Sequence, residues 1–399
     1  MSSREQTSFL RRNPFFRVLL REIDRMTGSS IYLFCTLIGP LGAFAVLLSV
    51  FSEYIPRDIA IAVVDRDNTS LSRKIGMWIN ATPEAEIVVR LPDLNEAYNQ
   101  MKEGRVDAVV VIPEDTEKNI LKGMQQRIPV FINNMNILKG GYLQKGIYKA
   151  LATLSGGIKL QVAMKNGYAE EQAMVAIQPV KLHQHVLFNP FGNYAYFLLT
   201  ALLPLMVLVF TLLTTIFAVG VEVREGTGPD WLEHASGSII VALAGKLIPY
   251  TLLYSVVSMV MNVILFIQIG TPLQGQFVLI ALGELGLIVT YQFVGVLFVA
   301  ASANLRLALS VASAYSMMAL TFSGLTFPAF AMPALAEDYS FLFPFTYWVH
   351  IFISQAMQGA PAANGVRYLC FFLVFIGVSV FMFPRLKRVL QNEKYWGKV

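Results

Sequence analysis

Six apolar stretches dominate this sequence and limit what the chain can fold into. They are long enough to cross a lipid bilayer as helices, which takes about 20 residues. The chain is 55% hydrophobic and only 14% charged, whereas an ordinary soluble domain is about 25% charged. A soluble enzyme and a disordered chain are thereby excluded, and we predict an α-helical polytopic membrane protein. The six predicted transmembrane (TM) helices cover residues 31–51, 191–221, 247–269, 277–301, 307–327 and 367–384.

Basic residues predict the orientation of these helices. Arginine and lysine are concentrated at one set of helix ends and in the terminal segments 1–30 and 385–399. The short connections at the opposite ends contribute only Arg367. Because lysine and arginine favour the cytoplasmic side, both termini are predicted to be cytoplasmic. The same bias accounts for the net charge of +5, and no nucleic-acid partner is expected.

The long polar segment 52–190 is predicted to lie outside the cytoplasm as an inserted α/β domain. Apolar runs of strand length alternate in it with helical patterns, and this alternation favours a sheet covered by helices. A domain of this kind would serve as a lid or as a docking platform. The predicted strands lie near residues 59–64, 87–91, 107–112 and 128–132, and the predicted helices near 71–79, 93–101, 114–121 and 137–165.

The sequence presents no clear set of catalytic or metal-binding residues. Cys35 and Cys370 both lie in apolar stretches, so no disulfide is expected. His183 and His185 lie two residues apart, whereas a metal site usually has three or four protein ligands; we interpret them as part of a solvated loop. No carboxylate pair or Ser/His/Asp combination stands out. We therefore predict that the chain is not an enzyme and holds no metal.

The N-terminal segment 1–30 predicts an amphipathic helix beside the membrane. Asn13 and Pro14 form a strong helix start, with Asn as the N-cap and Pro at the first helical position. Two compatible interpretations are open. The arginines of this helix bind lipid phosphates, or the helix contacts a partner protein beneath the membrane. The arginine stripe is Arg17, Arg21 and Arg25, and the apolar stripe is Phe15, Phe16, Leu19, Leu20, Ile23 and Met26.

Three short motifs occur in order along the predicted topology. Arg224-Glu225-Gly226-Thr227 follows the second TM helix, in the predicted cytoplasmic loop 222–246. Residues 323–328 (SGLTFP) end the fifth TM helix, and residues 343–347 (FPFTY) precede the last one. They resemble the R-E-x-G-T, SG…FP…MP and P-[LF]-T-Y stretches in permease subunits of bacterial type-two ABC exporters. The large domain after the first TM helix is similar to that of the drug- and lipid-type efflux subgroup.

This resemblance implies a permease subunit of an ATP-driven exporter. Two permeases, identical or paralogous, would pair in the bacterial cell (inner) membrane. Each would bind a separate ABC ATPase subunit, which holds the ATP and Mg²⁺; no cofactor would be bound by this chain. The substrate would be hydrophobic or amphipathic, a drug or lipid-like molecule moved out of the cytoplasm or inner leaflet. In many relatives a periplasmic adaptor protein takes part, and here it would dock on the extracytoplasmic domain.

The resemblance also implies roles for particular residues. A coupling helix at about 228–235, with Thr227 suited to cap it, would sit in a cleft of the ATPase. Glu225 would contact the ATPase or the N-terminal helix. The segment 328–366 would form short re-entrant helices that close the exit on the outer side. The coupling residues would be Arg224, Glu225, Gly226, Thr227, Asp230 and Trp231, and the exit residues Pro328, Pro333, Pro344 and Tyr347.

Glu284 is the one acidic residue well inside a predicted TM helix. A carboxylate in hydrocarbon costs several kcal/mol, which makes it a candidate functional site. The alternative is a protonated or snorkelling acid that only stabilises the bundle. Asn262 and Gln268 are the predicted partners, because a short hairpin joins their TM helix to that of Glu284.

A second functional hypothesis belongs to another class. The chain would then be a membrane anchor, a surface receptor or part of a secretion machine, whose extracytoplasmic domain is the functional part. The cytoplasmic face discriminates between the two hypotheses. An anchor has no need of a charged sequence followed by a short helix, whereas an ATP-coupled permease does, so the sequence favours the permease.

Overall fold

The computed structural model of this chain describes residues 13–52, 56–180, 182, 184–189 and 192–397. His183, one of the two histidines considered above, lies outside the described residues. The chain forms two compact units. The helical unit comprises the described residues before 55 and after 185, and the sheet unit comprises those between.

The elements follow one another along the chain as follows. The helical unit begins with α1 (Pro14–Thr27) and α2 (Ser30–Val50). The sheet unit contains β1 (Ile59–Asp65), α3 (Ser70–Asn80), β2 (Ala85–Leu91), α4 (Leu94–Lys102), β3 (Ala108–Ile112), α5 (Thr116–Leu121), β4 (Val130–Ile132), α6 (Ile137–Lys165) and α7 (Glu170–Ile177). The helical unit resumes with α8 (Tyr194–Arg224), α9 (Gly228–His234), α10 (Ile239–Gln268), α11 (Phe277–Ser302), α12 (Leu305–Thr321), α13 (Ala334–Ser340), α14 (Pro344–Phe352), α15 (Ala362–Phe381) and α16 (Phe383–Gln391).

Five helical stretches among the described residues are long and apolar enough to cross a membrane. They are α2, α8, α10, α11 and the stretch Ala362–Gln391, made of α15 and α16. A polytopic helical membrane protein is therefore confirmed. Two helices begin before the TM helices predicted there: α10 begins at Ile239 rather than 247, and α15 begins at Ala362 rather than 367. Lys246 suggested a loop, but the structure buries it inside α10.

The helix that corresponds to the fifth predicted TM helix is shorter than predicted. α12 has 17 residues, about 26 Å of helix, at the lower end of what crosses a bilayer. The chain then turns: Gly324 has a left-handed backbone (φ 83°), and the Thr326 hydroxyl donates to the Thr321 carbonyl at 3.1 Å. The motif at 323–328 is therefore a turn after a helix and not the end of a TM helix.

α8 lies at the centre of the helical unit. In its most apolar stretch 67% of the residues are buried, and it packs against α2, α10, α11 and α12. The buried Tyr254 of α10 joins two neighbours, since its hydroxyl is hydrogen-bonded to Thr214 of α8 at 2.7 Å and donates to the Cys35 carbonyl of α2 at 3.0 Å. By contrast, α2 is only 17% buried over its most apolar stretch. Most of the α2 surface therefore faces outwards.

The sheet unit is built on a four-stranded sheet in the order β2-β1-β3-β4. β1 is parallel to β2 and β3, and β4 is antiparallel to β3. α3 and α6 cover one face, around Ile61 and Leu143, and α4 covers the other, around Val109. The strands begin and end within two residues of the predicted ones. β3 is buried at every position, as expected for a central strand covered on both faces.

The C-terminal segment was predicted only as a cytoplasmic tail, residues 385–399, and the structure adds its fold. Through Gly397, the end of the described chain, it is folded against the helical unit. α16 buries Leu386, Val389 and Leu390, which recur at the spacing of one helix face. Arg385 donates to the carbonyls of Ala300 and Ala301 at the end of α11, at 2.7 and 2.8 Å. These contacts satisfy carbonyl groups that a helix end leaves without partners.

Candidate functional site

Charged side chains from three helices meet at one end of the helical unit. We call Arg21, Glu22 and Arg25 of α1, Glu222 of α8 and Lys246 of α10 the charged cluster. Glu22, Glu222 and Lys246 are completely buried, and the Arg21 and Arg25 side chains are only 18% and 23% exposed. A buried charge is tolerated only when it is paired and hydrogen-bonded. The cluster therefore ties the three helices to one another.

Glu222 is the centre of the charged cluster. Arg21 donates to both of its carboxylate oxygens, at 2.6 and 3.1 Å. Arg25 and the Thr227 hydroxyl also donate to it, and Lys246 does so at 2.9 Å. Burial alone would lower the pKa of the Arg21 guanidinium, but the surrounding carboxylates of Glu222, Asp230 and Glu22 together outweigh this effect and raise that pKa.

A second buried pair links α1 directly to α10. The Lys246 ammonium contacts one oxygen of Glu22, and the Tyr250 hydroxyl donates to the other at 2.6 Å. The same ammonium lies 4.8 Å from the ring centroid of Trp231, within the range of a cation–π interaction. Lys246 is thus shared between two carboxylates and an aromatic ring.

The arginine stripe of α1 faces the protein. Arg17 donates to the Ser236 hydroxyl at 3.0 Å, while Arg21 and Arg25 pair with Glu222. The charges of Arg21 and Arg25 are thus paired with carboxylates of the protein itself and are not left free for lipid phosphates. Leu20 and Ile23 of the apolar stripe remain 43% and 40% exposed, so this stripe is the surface left for lipid.

The predicted coupling residues lie in α9 and in the turn that precedes it. Glu225 pairs with Arg25 at 2.9 Å and with Arg224 at 3.1 Å, so it contacts the N-terminal helix. Thr227 does not cap α9 as predicted, because its hydroxyl donates to Glu222. Asp230 lies 3.3 Å from Arg21.

α9 has an inner and an outer face. Trp231 and Leu232 are buried against the core, and Gly228 packs against Leu390 of α16. Trp231 thus helps to hold α9 against the core. Pro229, Asp230 and Glu233 are exposed.

Gly226 allows the chain to turn between α8 and α9. Its φ of +71° lies in the left-handed region, and a Cβ there would come within 2.9 Å of the Trp396 ring. The Gly397 N–H donates to the Arg224 carbonyl beside it, at 3.0 Å. The C-terminal segment therefore closes over this turn.

We expect Gly226→Ala to destabilise the protein by more than the 1–2 kcal/mol, roughly, that a left-handed alanine costs, because Trp396 must also move. Gly237→Ala is the matched control, since Gly237 has a similar φ of +75° and open space around it. Thermal unfolding of the two purified variants in detergent measures the difference. Equal losses would show that Trp396 packing contributes nothing.

The intramembrane acid has a partner. Asn262 of α10 donates to Glu284 of α11 at 2.8 Å, so of the two predicted partners Asn262 makes this bond. Both residues are at most 5% exposed. Asn262 lies near the C-terminal end of α10, whereas Lys246 lies near the start of that helix. Glu284 lies near the start of α11.

The predicted exit residues begin or brace short helices. Pro328 precedes a single turn at Ala329–Ala331, Pro333 precedes α13, and Pro344 is the first residue of α14. The Tyr347 hydroxyl donates to the Phe341 carbonyl at 3.1 Å and so bridges α13 and α14. Short helices thus occupy the segment predicted to contain them.

Sequence reasoning missed the residues that organise the site: Glu22, Glu222, Lys246 and Tyr250. One signal was available. Lys246 stands alone in the apolar run 239–250, and an isolated lysine there implies a buried acidic partner. One partner, Glu22, lies 224 positions away in the chain, and the sequence does not show which acids pair with Lys246.

Comparison with known families identifies the chain. The sequence model of the ABC-2 family transporter proteins matches residues 30–383. This chain belongs to the ABC-2 transporter family. It is therefore an ABC permease, the multi-pass membrane component of a transporter, and the family implies an ABC ATPase as partner. No curated protein matches the chain.

Proposed function

We propose that this ABC-2 permease exports a hydrophobic or amphipathic substrate, with ATP and Mg²⁺ bound by a separate ATPase chain. The charged cluster and both termini would face the cytoplasm of a bacterial cell membrane, and the sheet unit would face the outside. Basic residues at the ends of α1, α8 and α16 support this orientation. A second permease would complete the transporter, and a periplasmic adaptor would dock on the sheet unit.

One observation carries the proposal: α9 is held rigidly from the inside and presents a polar outer face. Trp231 and Leu232 fix it to the core, and the charged cluster lies directly behind it. Pro229 and Glu233 are left exposed. This arrangement is expected of a coupling helix that is displaced by a bound partner and transmits the displacement to the membrane helices.

The charged cluster would transmit such a movement, because it joins α1, α8 and α10. α9 begins directly after Thr227, whose hydroxyl donates to Glu222 of α8, and Asp230 of α9 pairs with Arg21 of α1. A movement of α9 therefore acts on α1, α8 and α10 together, because close-packed elements transmit displacement. ATP-driven closure of the ATPases would in this way tilt the spans that enclose the substrate path.

Purification of the tagged chain from native membranes in mild detergent tests the proposal, with mass spectrometry of the proteins that accompany it. We expect an ATPase with Walker motifs. Glu233→Arg should reduce its recovery about tenfold or more, a change of roughly 1.4 kcal/mol, by reversing an exposed charge at the contact.

Glu337→Arg provides the matched control. Glu337 is also an exposed acid, on α13 and away from α9, and its substitution should leave ATPase recovery unchanged. Equal loss with both variants would contradict the α9 contact. Recovery of surface or secretion proteins in place of any ATPase would instead support the membrane-anchor hypothesis.

A further inference from the structure

The C-terminal helix α16 holds α9 at both of its ends. At the start of α9, Gly228 lies so close to Leu390 that a Cβ on this glycine would come within 2.6 Å of the Leu390 carbonyl oxygen. Beyond the end of α9, the Lys387 ammonium donates to the Gly237 carbonyl at 2.7 Å. A displacement of α9 therefore has to displace α16 as well, because close-packed elements transmit displacement.

α16 is also bound to the end of α11. The Arg385 guanidinium donates to the carbonyls of Ala300 and Ala301, at 2.7 and 2.8 Å, and the helix dipole favours a positive charge at this end of a helix. The buried Phe383 ring stacks on Phe293 of α11, with 5.9 Å between the ring centroids. α16 thus joins α9 to α11.

This connection reaches a helix that the charged cluster does not include. The members of that cluster lie on α1, α8 and α10. α11 extends from its contact with α16, at Ala300, to a contact with α14, where Gly283 packs against Trp348 and Ile351. The two contacts are roughly 26 Å apart along the helix, at about 1.5 Å per residue. A movement at one end of α11 therefore reaches a short helix near its other end.

α11 is suited to carry a movement over its whole length. By contrast, α8 and α10 contain Pro204 and Pro249 in their interiors. A proline inside a helix removes a backbone hydrogen bond and kinks the helix, so α8 and α10 can bend there and absorb part of a displacement. α11 contains no proline from Phe277 to Ser302, so it can move as a rigid rod.

We propose that α16 is a coupling element that passes a displacement of α9 to α11, and that α11 passes it on to α14. Arg385 is the positioning residue of this link, because it fixes α16 to the backbone of α11. That an ATPase causes the displacement, and that α14 then opens the exit, rests on the proposed function, whereas the mechanical link does not. Hydrogen exchange in the permease alone involves no ATPase, so failure of the proposed function and failure of this inference are distinguishable.

Hydrogen–deuterium exchange of the full chain in lipid nanodiscs, read by mass spectrometry, tests the link. Arg385→Ala should speed exchange about tenfold at residues 299–303, because the end of α11 loses both hydrogen bonds from the guanidinium. Exchange in α9 should also rise, by about threefold, although Arg385 hydrogen-bonds to α11 and not to α9. Arg388→Ala is the matched control and should leave both regions unchanged, because among the described residues the hydrogen bond of this exposed arginine stays within α16.

Lys387→Ala tests the link from the other side and keeps the inference falsifiable if Arg385→Ala does not fold. This substitution removes a contact beside α9. Exchange should nevertheless rise at residues 299–303 as well, since energetic coupling between two sites is reciprocal. Effects confined to the region that each substituted side chain touches would overturn the inference, as would equal effects of Arg385→Ala and Arg388→Ala.

Coupling to the ATPase is measured in the purified complex, trapped with ATP, Mg²⁺ and vanadate. Trapping should change hydrogen exchange in α14 of the unsubstituted protein. Arg385→Ala should remove most of this change while ATPase recovery stays the same, and Arg388→Ala should retain it. A full response of α14 in the Arg385→Ala complex would show that the movement takes another route and would overturn the role of α16. Absence of the ATPase even from the unsubstituted sample would refute the proposed function instead, and exchange in the permease alone would still decide the link.

Discussion

Glu222→Ala should lower the free energy of unfolding by about 3–5 kcal/mol, the usual effect of removing one partner of a buried ion pair. The substitution removes the carboxylate that Arg21, Arg25 and Lys246 share, and it also frees the Thr227 hydroxyl. Lys246 would retain Glu22, but the two arginines would lose their principal partner. Thermal unfolding of the purified protein in detergent measures the loss.

Glu225→Ala is the control for this prediction. Glu225 also pairs with Arg25, yet its side chain is 41% exposed, and exposed pairs contribute roughly 0–1 kcal/mol. A double-mutant cycle adds a sharper test: Arg21→Ala should cost less in the Glu222→Ala background than in the unsubstituted protein, because its main partner is already gone. Equal losses for Glu222→Ala and Glu225→Ala would refute the central role of Glu222.

Leu390→Ala should destabilise the protein by about 2–5 kcal/mol, the range for truncating a buried leucine. The Leu390 side chain is completely buried, and its backbone lies against Gly228 at the start of α9. Its carbonyl also accepts a hydrogen bond from the Trp396 indole at 3.3 Å. The cavity left by this substitution would loosen the contact between α16 and α9.

The same substitution at an exposed leucine serves as the comparison. Leu335 of α13 is 85% exposed, so Leu335→Ala should change the unfolding temperature only slightly. If Leu390→Ala were equally harmless, the packing of residues 383–397 against the helical unit would contribute nothing to stability.

Much of the fold could be predicted because its signals are local. Long apolar runs mark α2, α8 and α11, and alternating strand and helix patterns mark the sheet unit. Asn13 and Pro14 start α1 as predicted, with the Asn13 side chain accepting from the Phe15 N–H at 2.9 Å. Each of these signals depends on residues within one helix or strand, so no knowledge of the tertiary structure was needed.

The charged cluster could not be predicted, because the pairs that tie α1 to α8 and α10 join residues about 200 positions apart. Two acids closely follow the second apolar run. The motif singled out Glu225, whose side chain is 41% exposed, and not Glu222, which is buried. Helical periodicity held a clue. Glu222 follows Ala218 and Val219 on one face of α8, and both are completely buried.

The fold of the C-terminal segment was not predicted, because its basic residues were read only as a sign that the terminus is cytoplasmic. In the structure, Arg385 and Lys387 donate to backbone carbonyls of the helical unit. The buried apolar residues of the same segment, Leu386, Val389 and Leu390, have the spacing of one helix face. In short segments, charge content is therefore a weaker guide than periodicity.

The shared carboxylate of Glu222 has a consequence for how this protein can evolve. A residue bonded to several partners cannot be exchanged by one mutation without leaving opposite charges buried and unpaired. Positions 22, 222 and 246 should therefore change together or not at all among homologues, and a lineage that replaces Lys246 with an apolar residue should also have lost the acid at position 22. The charged cluster is in this sense a single inherited unit, although its parts are encoded far apart in the gene.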